Sequence, residues 1–401
     1  MIYTIISKCG LCGSENLDKY LDLGLSPLAN SLKATSDEVE SIAPLRVAKC
    51  EYCDCFQLLD IVNPEIMFSN YLYKSPDGLK THFENYASHT FSLLNLKKDD
   101  LMLGIGGNVG LLEIEYQKLR LSVANIEPAQ NIAFESRKNG IFTINDFFNK
   151  DIGKFFKNRA KLIAANNVLA HSDLTPIIDG VKELLDKSGY LVMENSYWLD
   201  VVKQSDAFQV YSEHYKYLSI KPLQKFFDFH GFDLFRVEYN KIQCGSFRAY
   251  IKWKENDKFC IDSSVAEAIK NEELFDLYDK QTYIKFTNAL NERKIELNEV
   301  LNRIICNGQT VGLFSVAAKT VLMLKYFDIS HFISLATDDS DLKWNRFIPG
   351  TSIKIIDKKS FFEHNFDYLI IGAFNFKNLI IEKNNQYKGK WINIMPKLEI
   401  I

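Results

Sequence analysis

Leu101-Met102-Leu103-Gly104-Ile105-Gly106-Gly107-Asn108-Val109-Gly110-Leu111-Leu112-Glu113 is the stretch that decides the fold. An apolar run, Leu101 to Ile105, turns through glycines into Leu111 to Leu119, which reads as a helix. Strand, glycine turn, helix is a nucleotide-binding layout, because glycines let the backbone approach a ligand at a helix N-terminus. The next strand adds weight. Leu121 to Ile126 runs into Glu127-Pro128 and so puts a carboxylate at a strand's C-terminal end, about 20 residues past the turn, where ribose hydroxyls sit in such a sheet.

Working outward, a helical stretch from His82 to Leu96 leads into this unit. A third strand, Lys161 to Ala165, precedes Asn166-Asn167-Val168-Leu169-Ala170-His171, and a fourth, Gly189 to Glu194, follows a helix around Leu174 to Lys187. All four strand ends then face one edge of a parallel sheet, where open sheets bind ligands, and His171 lies at that edge, first as a satisfied structural imidazole and second as a ligand-facing group. Tyr211-Ser212-Glu213-His214 follows. With His171 it gathers a phenol, a carboxylate and two imidazoles, groups able to lift a carbon-bound proton beside a ketone.

Toward the N-terminus lie two knuckles, Cys9-Gly10-Leu11-Cys12 and Cys50-Glu51-Tyr52-Cys53, with the spacing of a small zinc site. Four thiolates favour a closed structural site, and metal binding supplies folding free energy to a segment with little core of its own. Cys55 has no partner at knuckle spacing. Leu21 to Asn30 is punctuated by Gly24 and Pro27 and reads as a loop. Tyr71 and Tyr73 close the module, as packed rings or as hydroxyls offered to a ligand.

The chain has 401 residues, which suits two to three domains, and a net charge of -3. There is no basic run interleaved with aromatics, which excludes a nucleic-acid groove, and no apolar stretch of membrane-spanning length. Met1 to Lys8 is too short for a signal peptide, so a cytoplasmic protein is expected. After Trp253, Ile261 to Leu301 is charged, helical and free of Pro and Gly, a connector packing across domains. Further strands, at Thr310 to Phe314, Ile333 to Leu335, Ile353 to Ile356, Tyr368 to Ile371 and Trp391 to Ile394, make a second α/β sheet. Asp338-Asp339 and Lys343 there read first as solvated surface groups, second as contacts to a ligand.

At this point the chain resembles the sugar C-methyltransferases, which place a methyl branch on C3 of nucleotide-linked 4-keto-deoxysugars. The resemblance runs through the cysteine knuckles, Gly24 to Asn30, Tyr71-Leu72-Tyr73, Ile126-Glu127-Pro128, Asn167 to His171, Tyr211 to His214, Cys244-Gly245-Ser246-Phe247-Arg248, Ile348 to Thr351 and Asp367 to Asn375. It implies an α/β protein of three domains: a zinc-binding module at 1–78, a Rossmann-like S-adenosylmethionine domain at 79–255 and a C-terminal Rossmann-like domain at 256–401. The sugar would lie between them. By position, His214 is implied as the base at C3, with His171, Tyr211 and Glu213 positioning the sugar or stabilising the enolate. Gly106, Asn108, Gly110, Glu127 and Asn166 would hold S-adenosylmethionine. Tyr71, Tyr73, Ser246 and Arg248 would face the substrate, and Cys9, Cys12, Cys50 and Cys53 the zinc. The implied partner is a nucleoside-diphosphate 4-ketosugar, with no nucleic acid and no membrane, and a monomer is favoured.

The chain departs from the family in the cofactor turn. Gly104 and Val109 stand where the family has a glutamate and an aspartate, and Ser315 replaces a glycine in Leu313 to Lys319. Methyl transfer ranks first. An epimerase or isomerase that makes the enolate without S-adenosylmethionine, and a non-catalytic sugar-nucleotide binder, are the alternatives.

Overall fold

The computed structural model describes residues 2–68, 75, 77–242 and 245–401. Tyr71 and Tyr73 lie outside the described residues. The N-terminal strands are β1 (Tyr3–Ile5), β2 (Leu17–Pro27), β3 (Ile42–Cys50), β4 (Phe56–Leu58) and β5 (Asp60–Val62). The central ones are β6 (Leu101–Ile105), β7 (Ser122–Ile126), β8 (Thr143–Ile144), β9 (Ala160–Asn166), β10 (Leu185–Ser196), β11 (Lys216–Tyr217), β12 (Phe232–Asn240) and β13 (Ser246–Trp253). Then come β14 (Val311–Phe314), β15 (Leu335–Thr337), β16 (Lys354–Ile356), β17 (Tyr368–Ile371), β18 (Lys390–Asn393) and β19 (Glu399–Ile400).

Strands that are apolar on both faces end up covered on both faces. Met102, Leu103, Leu162, Ile163, Val192 and Met193 accordingly form the buried middle of a seven-stranded sheet of order β12-β13-β10-β9-β6-β7-β8. Counted from β6 without β11, the order is 3-2-1-4-5-7-6. The β6, β7, β8, β9 and β10 pairings are parallel, while β13 runs antiparallel to β10 and β12. The order reverses between β6 and β9, and the carboxyl ends of the strands open a crevice there. A six-stranded C-terminal sheet, β16-β15-β14-β17-β18-β19, has the order 3-2-1-4-5-6 and is parallel except for β19.

The N-terminal sheet is β11-β4-β3-β2, so the central region lends it an edge strand: Lys216 pairs with Gln57 and Tyr217 with Phe56. Leu21 to Pro27, read above as loop, belongs to strand β2. Gly24, at φ 78, and a register shift between Asp22 and Leu25 make a bulge there instead of a break. The segment 261–301 is likewise not one helix. Ser263–Leu274 and Lys280–Cys306 are separated by a turn in which Asp276 takes φ 58, a conformation aspartate tolerates better than most residues.

The second of these helices has 27 residues, about 40 Å at the α-helical rise, and contacts the N-terminal, central and C-terminal regions. Tyr283 packs against Phe56 at 5.0 Å between rings and accepts from Trp198 Nε1 at 2.8 Å. Arg293 donates to the Ile394 carbonyl at 2.7 Å. Among the described residues no helix is long and apolar enough to cross a membrane.

Candidate active site

Two short segments meet at the carboxyl edge of the central sheet. After β9, Asn167 takes φ 53 and one 3-10 turn, Leu169–His171, carries His171, with Leu169 buried beneath it. The loop Gln209 to His214 closes on itself through the His214 amide, which donates to the Tyr211 carbonyl at 2.9 Å. The His171 and His214 rings lie 4.6 Å apart, and the Tyr211 ring lies 4.1 Å from that of His214.

Hydrogen bonds fix the tautomers. His214 Nδ1 is 2.7 Å from the Gln209 carbonyl oxygen, which can only accept, so Nδ1 carries the proton and Nε2 the lone pair. Tyr211 Oη donates to that Nε2 at 2.9 Å. His171 likewise donates from Nδ1 to the Glu213 carbonyl at 2.7 Å. Burial pushes His171 down to about 4 and His214 well below its ordinary range, the latter helped by His171. Both are neutral imidazoles at pH 7.

Glu213 Oε1 accepts from Asn30 Nδ2 at 2.6 Å, so the N-terminal module reaches directly into this loop. Beside them is a cavity of about 140 Å³ lined by Leu28, Asn30, Ser31, Met67, Glu213 and Arg346. Its walls come from the zinc module, the central region and the C-terminal domain. Arg346 carries no signal in the sequence, since only the tertiary fold brings it here.

The four knuckle cysteines converge. Cys9 Sγ is 3.5 Å from Cys53 Sγ, Cys12 Sγ is 3.6 Å from Cys50 Sγ, and all four lie within 4.8 Å of one another. Sulfurs bound tetrahedrally to zinc at 2.3 Å stand about 3.8 Å apart, so donor type and size both fit a structural zinc. Gly13 at φ 73 and Asp54 at φ 69 complete the two knuckle turns. Cys55, also buried, stays outside the four.

The expected cofactor residues share one sheet edge. Gly106, Asn108 and Gly110 take φ of 61, 53 and 82. The turn's amides are all engaged: Gly106 to the Ile126 carbonyl, Gly107 to Asn125 Oδ1, Asn108 to Glu127 Oε2, Val109 to Asn108 Oδ1 and Gly110 to the Gly107 carbonyl. The glycines therefore provide close approach, while the turn's amides are satisfied within the protein. Glu127 also accepts from the Ala129 amide at 2.9 Å, and burial pushes its carboxyl up to about 7. Each of its oxygens keeps a lone pair for a ribose hydroxyl. Asn166 Oδ1 accepts from Tyr86 at 3.2 Å. A Cβ on Gly106 would come within 2.6 Å of Val168 Cγ2, so the turn rests on the segment that carries His171. Asn108 Oδ1 also accepts from the Ser75 amide at 3.0 Å, which ties in the chain just after Tyr71 and Tyr73.

The two departures behave differently. Val109 is buried with Ala129 and Ile132, its side chain turned into the core. The room left by Gly104 is taken by the carboxyl of Glu113, reaching back from the helix Leu111–Lys118.

Ser246 and Arg248 are engaged inside the protein. Arg248 donates to Glu194 Oε2 at 2.7 and 3.1 Å and lies 3.5 Å over the Tyr86 ring, while His82 holds the other Glu194 oxygen at 2.7 Å. Ser246 Oγ donates to the Ile242 carbonyl at 2.9 Å. Asp338 accepts from the Val316 amide at 2.7 Å and from Lys343 at 3.0 Å, so this acid braces the turn after β14 and is not a solvated group.

A parallel sheet of this strand order, with an antiparallel seventh strand and a glycine turn and strand-end carboxylate at its switch point, is the Rossmann-like fold of the methyltransferases. Residues 241–396 match the family model "C-methyltransferase C-terminal domain" and residues 9–68 the model "Putative zinc binding domain". The chain is a homologue of the C-methyltransferases. It is 24% identical over 408 residues to "C-methyltransferase NovU" of Streptomyces niveus, covering 99% of this chain and 97% of that one. Among solved structures it is similar to the magnesium protoporphyrin IX methyltransferase of Synechocystis PCC 6803 with bound SAH, at 14% identity over 43% of this chain and 83% of that one, TM-score 0.35. The PH0226 protein of Pyrococcus horikoshii OT3 is similar at 10% identity over 47% and 98%, TM-score 0.38.

Proposed function

We propose that the chain is an S-adenosylmethionine-dependent C-methyltransferase that acts at C3 of a nucleotide-linked 4-keto-deoxysugar through an enolate, in the biosynthesis of a branched-chain sugar. The observation that carries this reading is His214, a neutral imidazole whose Nδ1 proton is held by the Gln209 carbonyl and whose Nε2 lone pair is presented to Tyr211. A base needs a lone pair at a fixed atom, and a carbonyl on the far nitrogen stabilises the imidazolium formed when it takes a proton. Burial holds the imidazole unprotonated through the neutral range.

In this reading the substrate displaces Tyr211 from Nε2. His214 then accepts the C3 proton, and the Tyr211 hydroxyl becomes the donor that meets the developing enolate oxygen. Glu213, held by Asn30, and His171, held by the Glu213 carbonyl, orient the sugar. The nucleotide part lies toward the cavity with Arg346, a cation suited to phosphate. Gly106, Asn108, Gly110, Glu127 and Asn166 hold S-adenosylmethionine, which when bound supplies an electrophilic methyl group. The zinc is structural, and residues 1–78, 79–255 and 256–401 act as module, cofactor domain and C-terminal cover.

The test is exchange of the C3 proton of a 4-ketosugar nucleotide in deuterated water, followed by NMR, with and without S-adenosylmethionine. Wild type should exchange and, with cofactor, gain a methyl carbon. His214→Asn should slow exchange by about 100-fold or more. Exchange without any methyl product would turn the assignment to the epimerase, and undiminished exchange in His214→Asn would remove His214 as the base.

A further inference from the structure

Glu113 is 1% exposed and sits in the first turn of the helix Leu111–Lys118. Its side chain runs back beneath the glycine turn. A Cβ built on Gly104 would overlap Glu113 Oε1, and so would one on Gly107. The carboxyl thus occupies space that exists only because both positions lack a side chain. Its Oε2 has no hydrogen-bond partner among the described residues. A buried carboxyl left this way is costly unless something is gained by it.

We propose that Glu113 is the acid of the cofactor turn in this chain, a positioning residue that supplies negative charge from the helix into the space beside Gly104 and Gly107. The proposal rests on the S-adenosylmethionine reading above. Three observations converge on it. The carboxyl lies under the same turn whose outer face the cofactor would meet. Val109 cannot stand in, being turned into an apolar cluster. Finally, the cofactor's sulfonium and ammonium make its methionine end cationic, and a buried charge behind a thin layer of backbone acts on it with less screening than in water.

Burial pushes the Glu113 carboxyl up to about 8, with Glu127 adding to the effect. The titratable groups facing it are Glu127 at the β7 edge and Tyr116 on its own helix. The acid is therefore protonated in the unliganded protein at pH 7. A cation arriving across the turn favours its ionised form, so the proton leaves to solvent as the ligand binds.

Titration calorimetry at pH 7 in two buffers of different ionisation enthalpy tests this on the zinc-replete full chain, with S-adenosylmethionine and S-adenosylhomocysteine as ligands. Wild type should bind S-adenosylmethionine with net proton release. Glu113→Gln, which keeps size and fold, should bind it about 10- to 100-fold more weakly and without that release. The double variant Gly104→Glu/Glu113→Ala, which returns the acid to the strand, should recover affinity over Glu113→Ala. Equal affinity and equal proton release in Glu113→Gln would overturn the proposal and leave the cofactor reading standing. Wild type that binds neither ligand at millimolar concentration would overturn both.

Discussion

At the residue scale, the two imidazoles of the candidate site are also an acid-sensitive element. His171 has its pKa lowered from 6.5 to about 4 by burial, so the folded state binds fewer protons than the unfolded one. Its contribution to stability is complete above pH 6.5 and is lost as pH falls toward 4, up to about 3 kcal/mol. Melting temperature followed from pH 7 to pH 4 should therefore fall less steeply in His171→Asn than in wild type; parallel curves would mean that His171 is already free to protonate. The neighbouring residues differ in how readable they were. Tyr211, Glu213 and His214 lie within four positions of one another, so the loop that places one places the set. Arg248 belongs to an equally plain motif, yet Glu194, 54 residues away, claims its guanidinium. Glu113 carries no signal in the sequence, because its meaning depends on the absent side chain at Gly104.

At the scale of elements, the pairing of β11 with β4 joins the metal module to the loop that carries Tyr211 and His214. Tyr215, between that loop and β11, donates from its hydroxyl to the Val62 carbonyl at 2.9 Å. Zinc removal should thus reach the active site. Cys12→Ser, at the exposed ligand, should lose zinc and several kcal/mol of stability, on the order of 10 °C in melting temperature for a chain of this size. It should also slow C3 proton exchange although no residue of the site is changed. Zinc content by elemental analysis, melting and exchange are the readouts; unchanged exchange in the zinc-free protein would show that the two elements are independent. The strands themselves were legible where the chain is apolar on both faces, as in β6 and β9. Strand β2 was not, because Gly24 and Pro27 look like punctuation until the partner β3 is there to absorb a bulge.

At the scale of the whole molecule, the two Rossmann-like sheets and the module were legible from alternation and cysteine spacing. Their mutual contacts were not, since these depend on side chains distant in sequence. Tyr283 is the clearest case. Buried on the long helix, it accepts from Trp198 and donates to the Leu277 carbonyl at 3.0 Å, while its ring lies against Phe56. Tyr283→Phe keeps the packing but leaves an indole N–H and a carbonyl unpaired. It should cost about 1–3 kcal/mol, read as a lower urea midpoint with an unchanged slope. A second clasp is Lys33, which ion-pairs with Glu40 at 2.7 Å and donates to the Thr351 carbonyl at 2.9 Å, joining the module to the C-terminal domain beside the cavity.

That cavity is walled by three separately encoded stretches of chain, with Asn30, Glu213 and Arg346 one from each, while His171, Tyr211 and His214 come from the central stretch alone. The cavity wall and the paired imidazoles are therefore encoded on largely different parts of the sequence. Substitutions in the two outer stretches can therefore reshape the cavity wall while leaving the His171–His214 pair untouched.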